Sequence, residues 1–317
     1  MPLLGTFASN SIRSLTPSAG GGGASLYDFS SHTFTNAGQT GRTGPSISTV
    51  RSSYSGAAWA ADSNYLDQGY FEGYQRWTVP ATANYTVTVA AAGAGPQGGR
   101  GVIIRSTMSL TSGDKIDIVV GQTATRQTSG GAGGASWVVL SEVGGSLSGV
   151  AAATPLIIAG SGAGSYSGNN SSNMDGSYNT SSRSGDSSGG SGNSSGNGGG
   201  SHSSNSPYGG SGGGFNSDGG NANNCGVAYG RGWRSGLQGG DTCSSQVGGF
   251  GGGGGTHGNS GGGGGGAGYS GGGGNGHANN GGGGGASYTN TSYGTSQINV
   301  GYISQSNHGY VTIEKVA

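Results

Sequence analysis

Aliphatic side chains are scarce in the second half of this 317-residue sequence. Residues 161–299 hold 51 of the 79 glycines and only seven charged residues; the aliphatic candidates there or just beyond are Met174, Val227, Leu237, Val247, Ile298 and Val300. Such a segment cannot fold by burying aliphatic side chains. Cysteine is nearly absent as well: Cys225 and Cys243 are the only two, too few for a disulfide framework or a zinc set. A single bridge between them and two free thiols both remain open. Seven prolines and no Gly-X-Y period exclude collagen. Twelve basic residues balance twelve acidic ones without runs, which argues against nucleic acid or an anionic membrane surface as a partner. No apolar run is long enough for a bilayer span, and the start MPLLGTFASNSIRSLTP lacks the pattern of a secretory signal. The expectation is a chain made in the cytosol, with no membrane insertion.

What is present divides into three parts. Residues 1–25 end in SAGGGGAS, the composition of a flexible tether. The stretch from Leu3 to Leu15 reads either as a peptide that docks on a partner or as a disordered tail. In residues 26–160 the apolar residues recur with strand spacing. Tyr85, Val87, Val89 and Ala91 alternate with Thr86 and Thr88, and Ile116, Ile118 and Val120 alternate likewise. RGVIIRSTMSL, ASWVVLSEV and TPLIIAG predict three more strands, and Ile47, Val50 and Tyr54 predict one short helix with Pro45 in its first turn. At the C-terminus, Val311 and Ile313 alternate with Thr312 and Glu314. That last strand needs sheet partners, so residues 300–317 are expected to return to the sandwich. Residues 161–299 then become an insertion between two of its strands.

Glycine loses more conformational freedom on folding than any other residue, so disorder is the default for the insertion. Against it stand the aromatic and Asn interruptions (Phe250, Tyr269, Tyr288, Asn259, Asn275, Asn279) and the tie at both ends. Glycine runs also have an ordered option, the polyproline II conformation, with three residues per turn and no internal hydrogen bonds. Its N–H and C=O groups point outward all round, so bare chains pack side by side and bond to one another. The aromatics then serve as lids on the bundle.

Several motifs imitate chemistry. Gly93, Gly95 and Gly98 fit G-x-G-x-x-G, but the segment after them reads as strand, whereas a dinucleotide fold needs a helix. Ser211, Ser260 and Ser270 each sit in G-x-S-x-G, a pattern that so glycine-rich a segment produces freely. His32, His202, His257, His277 and His308 have no ligand spacing, and Asp62, Asp67, Asp114 and Asp117 lie in no calcium loop. Neither catalytic residues nor cofactor or metal sites are expected.

TFTNAGQTGRTGPS, YQRWTVPATANYTVTVAAAGAGPQGGRG, LTSGDKIDIVVGQ, TPLIIAGSGAG, GGFGGGGGTHGNSGGGGGGAGYSGG, GGGGGASY and NHGYVTIEKV occur in an order that resembles the glycine-rich ectodomain region of the anaplastic lymphoma kinase and leukocyte tyrosine kinase receptors. The resemblance spans about residues 27–317. It implies an all-β fold, a TNF-like jelly-roll β-sandwich with an inserted bundle of polyglycine II helices, and a binding surface rather than an enzyme. With no signal peptide, transmembrane span or kinase, the chain looks instead like phage tail and virion appendage proteins. The expected role is a structural fibre, tip or adhesin component of a virion, made in the host cytoplasm and joined to other virion proteins through its N-terminal segment. It would present loops to a host-surface glycan or protein. Sandwiches and phage fibres of this type associate in threes, although no heptads support a homotrimer here. The alternative is a cell-surface or matrix ligand-binding module. Ser-, Asn- and Tyr-rich loops have the content of adaptable contact surfaces, and Tyr166, Tyr178, Tyr208 and Trp233 are the candidate ligand contacts, with aromatic lids as the competing reading.

Overall fold

The computed structural model describes residues 25–124, 130–165, 172–187, 189–200, 202, 209–221, 228–241, 246–256, 262–276 and 280–316. Apart from residue 25, the expected docking peptide and tether lie outside them. The strands among the described residues are β1 (Ser31–Phe34), β2 (Leu66–Gln68), β3 (Gln75–Thr78), β4 (Ala83–Ala90), β5 (Val102–Leu110), β6 (Lys115–Val119), β7 (Ser136–Val143), β8 (Ser146–Leu147), β9 (Thr154–Ala159), β10 (Tyr288–Thr289), β11 (Ile298–Tyr302) and β12 (Tyr310–Lys315). They form two antiparallel sheets, ordered β1-β12-β4-β5-β11 and β10-β9-β7-β6-β3-β2, with β8 paired to β7. The architecture is an all-β sandwich.

The alternation read in the sequence builds the space between the sheets. Tyr85, Val87 and Val89 of β4 and Val311 and Ile313 of β12 face Trp77, Ile116, Ile118, Val138 and Leu140 of the other sheet. Thr86, Thr88 and Thr312 point outward and are only partly buried. The short helix, α1 (Ile47–Ser53), buries Val50. Its cap is Ser46, whose side chain accepts the Thr49 N–H, so Pro45 precedes the cap and does not occupy the first turn.

β7 departs from the half-buried pattern, since seven of its eight residues are buried. Val138 and Leu140 enter the intersheet core. Trp137 and Val139 enter a second core on the opposite face, made with Phe215, Trp233, Leu237, Phe250 and Ala267 of the glycine-rich segment. The insertion is therefore a third layer, and the sheet beneath it is covered on both sides, which is why ASWVVLSEV reads as a continuous apolar run.

β12 lies between β1 and β4, so the chain does return to the sandwich. It returns earlier than residue 300: β10 pairs with β9 and β11 with β5, which moves the end of the insertion back to about residue 287. Gly301 breaks the alternation of β11 with a bulge against β5, and this concealed the strand.

Within the insertion the order is carried by main chain. In the run after residue 262, Gly263, Gly266 and Tyr269 donate to Asn280, Gly283 and Ala286, while Gly265 and Gly268 donate to Gly210 and Gly213, and Gly264 to Gly130. The partner stretch recurs every third residue. Carbonyls of the same run accept from Gly164, Gly254 and from Gly272 and Asn275. One glycine strand is thus bonded to six others. A Cβ on Gly263, Gly264 or Gly265 would fall on the carbonyl oxygen of Gly164, Gly254 or Gly272 respectively. No direction is left free for a side chain. Ala267 is the exception, and its methyl group points into the core under Trp233.

A candidate binding face at one pole of the molecule

Strand registers define two poles. At one of them the Leu26 N–H donates to Pro80, the Val316 N–H donates to Asn84, and the β7–β8 turn meets Asp114 through the Gly144 N–H. Both ends of the described chain are therefore at this pole. Here too a groove of about 550 Å³ runs beside Tyr27, Trp59 and Tyr65, with Asp28 and Asp62 on its wall. Leu26, Val143, Leu147 and Val316 are exposed large apolar residues at this same pole.

The other pole is reached by following β6 and β9 past their last residues into the glycine layer. The described residues that flank segments 125–129, 166–171, 203–208, 222–227, 242–245, 257–261 and 277–279 are linked there to one another. Gly130 donates to Ser165, Gly255 to Ala228, Thr256 to Gln246, Gly263 to Asn280 and Asn275 to Gly263. Gly209 bridges to Thr256, whose hydroxyl donates to Gly262. Described residues beside all seven segments thus meet at one pole, the distal pole, opposite the ends of the described chain.

The candidate contacts do not share one environment. Tyr178 is half-buried on the flank of the distal pole, its ring 5.1 Å from that of Tyr302. Desolvation, aided by the Tyr302 hydroxyl, pushes its phenol up to about 12. The Arg100 guanidinium lies 4.5 Å from the centre of the Tyr302 ring. It grips Asp175 with Nη2 at 2.7 Å and Nε at 3.2 Å, and this bond raises its pKa. Arg100, Asp175 and Tyr302 escaped sequence reasoning, because three separate stretches of chain supply them.

Trp233 must be removed from the ligand-contact set. It is fully buried, 4.7 Å from Tyr74 and 6.1 Å from Trp137 between ring centres, with Phe215 stacked at 6.0 Å. Its Nε1–H donates to Val150, and its own carbonyl accepts the Tyr74 hydroxyl. In place of meeting a ligand, it fastens the glycine layer to the sheet. Tyr166, Tyr208, Cys225 and Cys243 lie outside the described residues.

The serine and aspartate motifs have structural uses. Ser211 donates to Gly200 and accepts the Gly274 N–H; Ser270 donates to Thr180 and accepts the Gly196 N–H. Asp117 is buried in a two-point pair with Arg76 at 2.7 and 2.9 Å, and Asp67 pairs with Arg51. Among the described residues no three His, Cys, Asp or Glu side chains gather as a metal site would require. The Gly93–Gly98 turn leads into β5 and packs on Gln305, whose backbone a Cβ at Gly93 would strike. At the distal pole, His308 accepts the Thr123 N–H on Nδ1 at 3.1 Å, and burial lowers its pKa. No helix among the described residues is long and apolar enough to cross a membrane. No family model matches this chain, and no curated protein matches it.

Proposed function

We propose that this chain is a non-enzymatic structural protein of a virion, a phage fibre or tip adhesin component that presents loops on a polyglycine scaffold for recognition of the host surface. The observation that carries this reading is polarity. Described residues beside seven separate segments meet at one pole, while both ends of the described chain sit at the other. Such a division suits an appendage attached at its base and exposing variable segments at its far end.

Two finer structural readings belong to the same proposal. The three-residue recurrence of hydrogen-bond partners supports polyglycine II helices, whose turn is three residues. The two-sheet sandwich with its last strand returning between β1 and β4 supports a TNF-like jelly roll, the fold implied by the resemblance to the receptor glycine-rich regions. The exposed apolar residues of the basal pole, and the entry of the chain there at Ser25, support attachment to other virion proteins through the N-terminal segment.

The test is an exchange of residues 165–208 for those of a related chain, scored by host or ligand preference and by thermal melting. The expected result is an altered preference with an unchanged sandwich transition. An unaltered preference would count against presentation by this pole. Mass spectrometry of purified particles tests the virion assignment separately; finding the chain only on uninfected cells would overturn it.

A further inference from the structure

On the flank of the distal pole, a cleft of about 420 Å³ opens between the Gly93–Gly98 turn, Arg100, Gln305 and the stretch Ser172–Asp175. Its floor is main chain already in use: Gly98 donates to Gly95, Gly99 to Ala163, and the Arg100 N–H to Asp175. Recognition there must come from side chains. Among the described residues, three polar atoms of the wall have no protein partner: Arg100 Nη1, Gln305 Oε1 and the Ser172 hydroxyl. The hydrogen bonds made by Arg100 and Gln305 use their other atoms.

We infer that this cleft binds a neutral pyranose sugar, one or two rings in size. The inference rests on the proposed recognition role and names its ligand class. Three features carry it. Asp175 cancels the Arg100 charge at 2.7 Å, so an anionic ligand gains no net attraction and meets a carboxylate. The wall carries both donors and acceptors, the Arg100 guanidinium and Ser172 hydroxyl with Gln305 Oε1 and the Asp175 carboxylate, and a sugar hydroxyl both donates and accepts at one atom, repeatedly along a ring. The groups are also held in place beforehand. Tyr302 supports the guanidinium from below, and the Gln305 amide is tied to Gly98 at 2.6 Å, so little ordering remains to be done on binding. The volume lies near the lower end of the ~300–1,000 Å³ common for small-ligand sites, which limits the occupant to a mono- or disaccharide unit.

The experiment is saturation-transfer NMR on the full chain with methyl α-mannopyranoside, methyl β-galactopyranoside and methyl N-acetyl-β-glucosaminide, and with N-acetylneuraminate as an anionic probe. At least one neutral glycoside is expected to receive saturation. Gln305→Leu is expected to weaken it at least about tenfold, the cost of one lost charge-free hydrogen bond set at a ligand site. Arg100→Ala combined with Asp175→Ala, which leaves no unpaired charge behind, should abolish it. Thr88→Ala, on the outward sheet face, should change nothing. Transfer to no neutral probe, transfer to N-acetylneuraminate alone, or equal transfer in all variants would overturn the assignment. Binding by the isolated chain does not depend on where the chain assembles. A chain missing from particles that still binds sugar would sink the virion reading and spare the cleft.

Discussion

The sandwich and the glycine bundle solve the same problem with opposite materials. Between the sheets, stability comes from buried side chains such as Trp77, Tyr85, Ile104 and Ile118, each with no exposed surface, and each worth on the order of 1.5–3 kcal/mol or more when fully buried. In the bundle there is almost nothing to bury, and the main chain is both core and surface. A protein–protein hydrogen bond nets only about 0.5–1.5 kcal/mol, while ordering a glycine costs roughly 0.5–1 kcal/mol more than ordering an alanine. Fixing any backbone already costs about 1–2 kcal/mol per residue, so hydrogen bonds alone do not carry the bundle. It has to be held, and the second core holds it: Phe215, Trp233, Leu237 and Phe250 rest on Trp137, Val139 and Tyr74 of the sheet. A backbone lattice is an extension of a hydrophobic core and depends on it.

The sharpest way to break that dependence is to cut the fastening. Trp233→Ala is expected to cost about 3–5 kcal/mol. In hydrogen exchange the amides of residues 262–276 should lose protection before those of β4 and β12. Simultaneous loss in both regions would mean that the layers do not separate as described.

A single methyl group sharpens the comparison further. Gly263→Ala would place a Cβ on the Gly164 carbonyl, and a cost of about 1–3 kcal/mol is expected for such overpacking. The smallest effect belongs to Gly149→Ala in the sandwich, where a Cβ meets nothing within 4 Å. That change should stay within about 0.5 kcal/mol. Denaturant titration of both variants measures the contrast, and equal tolerance would show that the bundle is not close-packed.

Acid should separate the two regions as well. His32 is wedged edge-on among Phe34, Tyr54 and Trp59 with no partner for Nε2. Burial pulls its pKa from 6.5 down to about 4. The unfolded chain then takes up a proton that the folded one refuses. Stability should be full above pH 6.5 and fall as pH drops from there toward 4. In His32→Phe this acid limb should flatten, measured by thermal melting of the sandwich against pH. An unchanged limb would assign it to other groups.

Much of the sandwich was legible because its signal is local. The alternation in β4, β6 and β12 needs no knowledge of partners, and each of these strands appears where the period of two placed it. β11 was not legible, since Gly301 interrupts the period and the exposed Ile298 and Val300 face away from the core. Trp233 was misread for a related reason. Its sequence neighbours are Gly232, Arg234 and Ser235, which look like a loop, and the rings that bury it belong to strands far away in the chain. The cleft was hidden most completely, because Arg100, Asp175 and Gln305 come from three distant stretches that share no motif.

By itself, the sequence determined where oil was available and where it was not, and hence that two kinds of packing had to coexist in one chain. It also determined, through runs in which no residue carries a Cβ, that main chains would be free to approach one another. Only the tertiary structure decided which face of the sheet the glycine layer covers and which aromatic residues fasten it there. It alone brought described residues from separate parts of the chain together at one pole and set the ends of the described chain at the other. The physical reason is that periodicity encodes which side of a strand turns inward, whereas the partner on that side is chosen by contacts between residues remote in sequence.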